Sequence, residues 1–430
     1  MARNLHVLIA GGGIGGLALA NGLRRAGVSV SVHERETQRT DRLQGFRVHI
    51  NPNGSRALAE LLSPELFSTF IATSGKGSIG FGFVTEQLKE LLEFDPIEPA
   101  HDPAGGDHYG VSRITLRQIL LAELGDVVRY DSMFERYEHR ADGRVVAHFA
   151  DGTSEVGDVL IGADGGTSRV RAQYLPHAER VDTGIVTLGA KFLLTSESRR
   201  RIDPRLLTHP FSVIPPSGCG MFVAAHDFDA PTEAGAIGGN EAGLSGPLFD
   251  NTQPYVLWGF GAKRERFGPD LEAKSNDELL ELALRLTEGW APALRRLVAD
   301  TDSETIALLP IKTSVPVPPW ETTNVTVLGD AIHSMTPFGG IGANTALRDA
   351  QSLCRALIAA DRGEQELLSG IHEYEAQMID YGFDAVRTSL KAANQSVSDN
   401  RLARTAGRLF FRTANAVPVI KRKMFAELGA

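Results

Sequence analysis

Cysteine is scarce. Cys219 and Cys354 are the only two among 430 residues. Neither belongs to a CxxC pair, which excludes a disulfide framework and a cysteine zinc site. They also lie too far apart for the redox CxxxxC of a disulfide reductase. No run of about 18 apolar residues occurs, which excludes a membrane-spanning helix. The apolar stretch 5–10 is too short for a signal-peptide core and runs straight into glycines, so a cytoplasmic location is expected. Positive charge is in deficit, with 44 Lys and Arg against 53 Asp and Glu for a net charge of -9. Such a balance argues against a nucleic-acid partner. Ser112 and Ser217 sit in no nucleophile elbow, which argues against a serine hydrolase. No cluster with metal-ligand spacing is found; His101/Asp102 and Asp107/His108 read as a solvated loop.

What is present is glycine, 45 residues, in an otherwise ordinary globular composition of 42% hydrophobic and 23% charged residues. The length allows two or three domains. Residues 5–10 form a short, nearly all-apolar run, as expected of a central parallel strand buried on both faces. A glycine turn follows, then an Ala/Leu-rich helix over 17–26 closed by Gly27, then a Val/Ser strand over 28–33. This is a βαβ unit. Helices are expected at 53–62, 64–71 and 116–124. Residues 126–130, 134–139 and 145–149 read as a meander turning at Asp142-Gly143. Strands rich in Val, Phe and Trp follow at 183–194, 211–214, 220–228 and 255–260, separated by Pro/Gly loops that include the glycine-rich stretch 230–246. Helices return at 277–286, 293–298, 343–360, 372–392 and 402–416.

Three motifs carry chemistry. In Gly11-Gly12-Gly13-Ile14-Gly15-Gly16, Gly11 takes the tight turn, Gly13 lets a pyrophosphate approach the backbone, and Gly16 lets helix and strand pack closely. The phosphates would sit on free N–H groups at the helix N-terminus. Glu34, at the end of the second strand, can accept from a ribose hydroxyl. The second motif, Gly162-Ala163-Asp164-Gly165 with Ser168, Arg169 and Arg171, ends an apolar strand in a carboxylate. So does the third, Gly329-Asp330-Ala331-Ile332-His333, which leads into Pro337-Phe338-Gly339-Gly340-Ile341-Gly342-Ala343-Asn344. That last stretch opens a helix whose N-terminus would stabilise a ring that becomes anionic on reduction. His333 reads as part of the turn rather than as a catalytic base.

In this order and spacing the three motifs resemble the class A flavoprotein monooxygenases, the p-hydroxybenzoate hydroxylase-like superfamily. Met335-Thr336-Pro337-Phe338-Gly339-Gly340 and the Asn344…Asp349 helix start look nearest the salicylate-hydroxylase-like and tetracycline-degrading branch. The resemblance implies an α/β fold: a Rossmann-like FAD-binding domain (GR2-type) with an inserted, mostly antiparallel β-sheet substrate domain and a C-terminal helical tail. The expected division is 1–73, 101–178 and 301–360 for FAD, 74–100 and 179–300 for substrate, and 361–430 for the tail. By the same resemblance, Gly11, Gly13 and Gly16 hold the ADP half of FAD. Glu34 takes its ribose and Arg35 lies near the adenine. Arg47, in Gly45-Phe46-Arg47-Val48, and Arg113 reach the cofactor. Asp164-Gly165 serves both FAD and NAD(P)H. Gly329-Asp330 holds the ribityl and pyrophosphate region, and Pro337, Gly340, Gly342 and Asn344 border the isoalloxazine. Ile332 stands where alanine is usual.

The implied activity is hydroxylation of an aromatic or polycyclic small molecule through a flavin C4a-hydroperoxide. NADPH or NADH would be the transient reductant, since no second glycine fingerprint is present, and O2 the co-substrate. Epoxidation of an alkene or polyene remains an alternative, as does a flavin-binding protein without oxygenase activity. A flavin halogenase would carry a Trp-x-Trp-x-Ile-Pro run, which the sequence lacks. Phe222, Trp258 and Phe260 are the candidates for an aromatic pocket. Trp258 and Phe260 share one strand face and Leu257 has the other. No substrate-deprotonating base is identified, and monomer and homodimer both stay open. Residues 401–430 hold seven Lys and Arg against Glu427. This tail is expected to pack on the body with its basic face solvated or meeting acidic groups, rather than to dock at a membrane.

Overall fold

The computed structural model describes residues 4–37, 47–74, 80–94, 104–227, 254–417 and 419–421. Expectations at Gly45, Phe46, His101, Asp102, the stretch 230–246, Arg422 and Lys423 lie outside the described residues.

The N-terminal third runs β1 (His6–Ala10), α1 (Ile14–Arg25), β2 (Ser29–His33), β3 (Arg47–Ile50), α2 (Pro52–Leu61), α3 (Pro64–Thr73), β4 (Phe81–Val84), β5 (Glu90–Phe94), β6 (Tyr109–Ser112) and α4 (Arg113–Leu121). The middle follows with β7 (Val128–Arg129), β8 (Phe134–His139), β9 (Val145–Phe149), β10 (Ser154–Gly157), β11 (Val159–Gly162), α5 (Arg169–Tyr174), β12 (Arg180–Leu193), α6 (Ser198–Arg201), β13 (Phe211–Val213), β14 (Cys219–His226) and β15 (Tyr255–Lys263). The rest is α7 (Asn276–Leu286), α8 (Pro292–Ala299), β16 (Ala307–Ser314), β17 (Val325–Val327), α9 (Asp330–His333), α10 (Gly342–Asp361), α11 (Leu367–Ser396) and α12 (Arg401–Ala416).

A parallel five-stranded sheet, β17-β11-β1-β2-β7, forms the first layer system. Its strands β11 and, beyond His6, β1 are buried, which is why they read as apolar runs. The βαβ unit forms as expected, because Gly11 and Gly16 let α1 fold back onto β1. Residues 128–129 do not join a meander: they pair parallel with β2, and the third meander strand is Ser154–Gly157. A two-stranded ladder of β3 and β6 also forms, which the sequence reading did not anticipate.

The seven-stranded sheet has the order β16-β12-β15-β14-β13-β4-β5 and is antiparallel except at β13–β4. Residues 307–314, assigned from sequence to the FAD part, are instead an edge strand of this sheet, paired with β12 from Gly189↔Ala307 to Arg180↔Ser314. One face of the sheet packs on α7 and α8 and forms the second core. In that core Val186, Leu188 and Ala190 of β12 alternate inward with Val256, Trp258, Phe260 and Ala262 of β15. The opposite face presents Thr187 and Lys191 with Tyr255, Leu257, Gly259 and Gly261, since directly paired residues share a face. Among the described residues no helix is long and apolar enough to cross a membrane.

Candidate functional site

The first glycine turn is built for close approach. Gly11 has φ 113°, and a Cβ on it would lie 2.3 Å from the Ala163 carbonyl oxygen. A Cβ on Gly16 would lie 2.4 Å from the Gly11 carbonyl oxygen. Gly13 differs: a Cβ there would meet nothing within 4 Å. Gly13 is also the N-cap of α1, and no side chain caps that helix. Its first N–H groups are therefore available to an outside acceptor, with the helix dipole favouring an anion.

Glu34 is buried at the same turn. One carboxylate oxygen accepts from the Gly12 N–H at 2.7 Å and the other from the Glu36 N–H at 3.1 Å. Arg35 beside it is exposed. Arg113 opens α4 and is exposed, whereas Arg117, one turn on, donates to the Gly12 carbonyl and pairs with Glu36 at 2.8 Å. Arg117 was missed from sequence because no local pattern ties residue 117 to residue 12.

The two other carboxylate turns flank this cradle. Asp164 accepts from the Arg169 and Val170 N–H groups through Oδ2, capping α5. Its Oδ1 is buried with no hydrogen-bond partner among the described residues. Gly165, with φ 78°, has open space where a Cβ would be. Arg171 fixes this turn to the other, donating to the Ala331 carbonyl at 2.9 Å. Gly329 takes φ 60° and leaves Asp330 exposed at the end of β17. A Cβ on Gly15 would touch Leu328 and Ala346, so the start of α1, the end of β17 and the first turns of α10 converge.

The loop into α10 is open as well. Pro337, Gly339 and Gly340 are exposed, with φ 92° and 64° at the two glycines, and no side chain caps α10. Gly342 starts that helix. Asn344 ties it down, donating to the His49 and Gly340 carbonyls and accepting from the Asn51 N–H at 2.8 Å. His333 is wholly buried, with Nε2 2.6 Å from Asp349. Asp349 also accepts from the Gly329 N–H and the Tyr381 hydroxyl. Burial alone would lower the His333 pKa, but Asp349 outweighs it and the net direction is upward. This network joins the turn to α10 and α11, so His333 is structural. Ile332 packs into the first core.

The pocket candidates separate. Trp258 and Phe260 belong to the second core, and the Trp258 indole N–H donates to Thr301 Oγ1 at 2.9 Å. They point away from the loop, because the face that meets it carries Gly261: a Cβ there would lie 3.3 Å from the Phe338 ring. The expectation that Trp258 and Phe260 line the pocket is therefore corrected. Phe222 does sit on the loop-facing side, paired with Gly259. The Thr187 hydroxyl, beside Gly259 and Gly261, is buried without a hydrogen-bond partner among the described residues.

The β3–β6 ladder completes the surroundings. Arg47 lies over Gly110, where a Cβ would come within 2.3 Å of its guanidinium. Burial lowers its pKa, and the Tyr255 side chain of the seven-stranded sheet acts in the opposite sense. Two residues on, His49 Nε2 is 3.1 Å from His108 Nδ1. His108 is thus not a solvated loop residue, as the sequence suggested. Burial, then Arg47 and His108, hold His49 down to about 3, so the pair is neutral at ordinary pH. Burial also lowers His108.

A family model described as an FAD binding domain matches residues 253–388. A solved structure described as an FAD containing monooxygenase, from Photorhabdus luminescens subsp. laumondii TTO1, is 34% identical. The match covers 91% of this chain and 98% of that one, with a TM-score of 0.79. The chain belongs to the FAD-dependent monooxygenases. A dual O-methyltransferase/FAD-dependent monooxygenase of Cercospora beticola is 30% identical over 88% of this chain but only 44% of its own length. The chain thus spans less than half of that curated relative. HpxO of Klebsiella pneumoniae, solved with FAD and uric acid, shares the fold at 23% identity and a TM-score of 0.76, covering 98% of this chain and 96% of that one.

FAD is the cofactor of this monooxygenase family, and the residues present suit it. The uncapped α1 N-terminus beside the open side of Gly13, the Asp164 Oδ1 without a hydrogen-bond partner among the described residues and the exposed Asp330 leave donors and acceptors for an outside group.

Proposed function

We propose that this monooxygenase consumes NADH or NADPH and O2 and hydroxylates an aromatic or polycyclic small molecule. The substrate would lie between the glycine loop 339–342 and the loop-facing side of the seven-stranded sheet. The observation that carries this reading is the side-chain-free strip at Gly259 and Gly261, with Phe338 packed on Gly261, Phe222 beside Gly259, and the Thr187 hydroxyl without a hydrogen-bond partner among the described residues. A flat apolar face with one polar group beside it suits a planar ring. The seven-stranded sheet, with residues 307–314 included, is then the substrate part, and the parallel sheet with its helices is the FAD part.

Bound FAD, once reduced, supplies the oxygen chemistry. The chain supplies position and shelter. Gly11, Gly13 and Gly16 with the α1 N-terminus hold the pyrophosphate, and Glu34 and Arg35 take the ribose and adenine end. Asp164-Gly165, Gly329-Asp330, Arg47 and Arg113 hold the middle of the cofactor. Pro337, Gly340, Gly342 and Asn344 border the ring, and the uncapped α10 N-terminus favours its anionic form. Phe338 and the sheet exclude water.

The test is a screen of phenols, polycyclic aromatics and polyenes for compounds that accelerate NAD(P)H oxidation, with product masses measured. Products heavier by one oxygen atom from aromatic compounds support the reading. Acceleration by polyenes alone would replace it with epoxidation.

A further inference from the structure

The last helix is amphipathic the wrong way round for simple packing. Its inward positions are mostly polar. Arg404 is buried and donates to the carbonyls of Pro215, Cys219 and Ser396, each at 2.8 Å. Arg408 pairs with Glu86 at 3.0 Å. Asn415 donates to Glu90, and Phe411 and Ala414 pack on β4 and β5. The apolar positions face out: Leu402 is 84% exposed, Leu409 63% and Phe410 51%. Ala406 and Thr413 lie between them on the same stripe, and Val417, Val419 and Ile420 extend it past the helix end. A stripe at this spacing is one continuous helix face.

The helix that carries that face has one sign of charge: no Asp or Glu occurs between residues 401 and 421, while Arg401, Arg412 and Lys421 are cationic. Arg401 and Arg412 are exposed. The remainder of the chain is strongly acidic, given the overall charge of -9. Two copies meeting through this face in a symmetric contact would set cationic rim against cationic rim. A surface that is apolar at depth and anionic at its boundary satisfies both features at once.

We propose that the outer face of α12 docks the enzyme on an anionic lipid surface, lying in the interface without crossing it. The placement also suits delivery of an apolar substrate. Phe411 stacks on Phe83 at 4.4 Å, Phe83 meets Phe81 at 5.0 Å, and Phe81 stacks on Phe222 at 6.4 Å. This aromatic series runs from beneath the docking helix to the loop-facing side of the sheet.

The test uses the full-length, FAD-loaded protein and vesicles. Sedimentation is measured with phosphatidylglycerol/phosphatidylcholine vesicles and with phosphatidylcholine alone, at low and high salt. The wild type should bind the anionic vesicles and lose most of that binding at high salt. Leu409→Glu/Phe410→Glu should weaken partitioning at least about tenfold. Its FAD content and unfolding midpoint should be unchanged, since both side chains contact solvent. Arg412→Glu should weaken binding at low salt only. A wild type that ignores anionic vesicles overturns the proposal, and so does a double variant that binds as well as wild type. A dimer in solution that the double variant dissociates, without vesicle binding, would assign the face to a second copy instead. The substrate screen above is read without vesicles, so failure of one proposal leaves the other standing.

Discussion

Trp258→Ala separates the two faces of the seven-stranded sheet. The indole is fully buried in the second core, to which Leu279, Leu282, Leu294 and Leu297 also belong, and its N–H donates to Thr301 Oγ1. Truncating a buried Trp costs about 3–5 kcal/mol in transfer and cavity terms. The lost hydrogen bond adds about 1 kcal/mol, and no more, because Thr301 Oγ1 still donates to the Leu297 carbonyl. Against a total stability of about 5–15 kcal/mol that is a large fraction. With a urea dependence of about 1–3 kcal/mol per molar, the unfolding midpoint of this part should fall by more than about 1 M. The assay is urea unfolding followed by far-UV circular dichroism, with peroxide and hydroxylated product measured on the folded fraction. The peroxide-to-product ratio should stay near wild type. Leu257→Ala, on the other face, should shift the midpoint less and raise that ratio. A stable Trp258→Ala protein that leaks peroxide would refute the assignment of faces.

Three further outcomes follow from the site. Gly13→Val should abolish FAD retention while circular dichroism stays native, since the side chain enters space that only the cofactor would fill. Asp330→Ala should lower FAD affinity by about 1.5–3 kcal/mol in a titration followed by flavin fluorescence, because an exposed charge-assisted acceptor is lost. His49 refuses a proton in the native state until about pH 3, whereas the unfolded chain accepts one near its ordinary value of 6.5. Above that value the residue adds no pH dependence. As pH falls through the window the unfolded state binds more protons, so stability drops by up to about 1.4 kcal/mol per unit. His49→Gln should flatten this slope in urea midpoints taken between about pH 6.5 and about pH 4; an unchanged slope would contradict the burial of the imidazole pair.

The parallel sheet was legible because strands buried on both faces are continuous apolar runs and the glycines punctuate them. The glycine turns were legible for the same reason: Gly11 and Gly329 are needed where the backbone takes positive φ. Strand parity was legible too, since Trp258 and Phe260 share a face opposite Leu257. Which face is core was not, because α7 and α8 cover one side while Phe338 and α11 approach the other, and Tyr255 and Leu257 make that second side partly apolar despite Thr187 and Lys191. The β3–β6 ladder escaped because its strands are four residues each and far apart in sequence. The His49–His108 contact, 59 residues apart, went with it. Arg404 looked like a solvated cation because charge alone does not reveal that backbone carbonyls wait beneath it.

The most direct test of the central claim is oxygen transfer itself. The purified FAD-loaded protein is given NAD(P)H, isotopically heavy O2 and the aromatic compound that most accelerates NAD(P)H oxidation, and the product mass is read. The account predicts one heavy oxygen atom in each hydroxylated product, and product replacing peroxide as substrate is raised. Product carrying oxygen from water, or peroxide as the sole product with every aromatic compound tried, would contradict it.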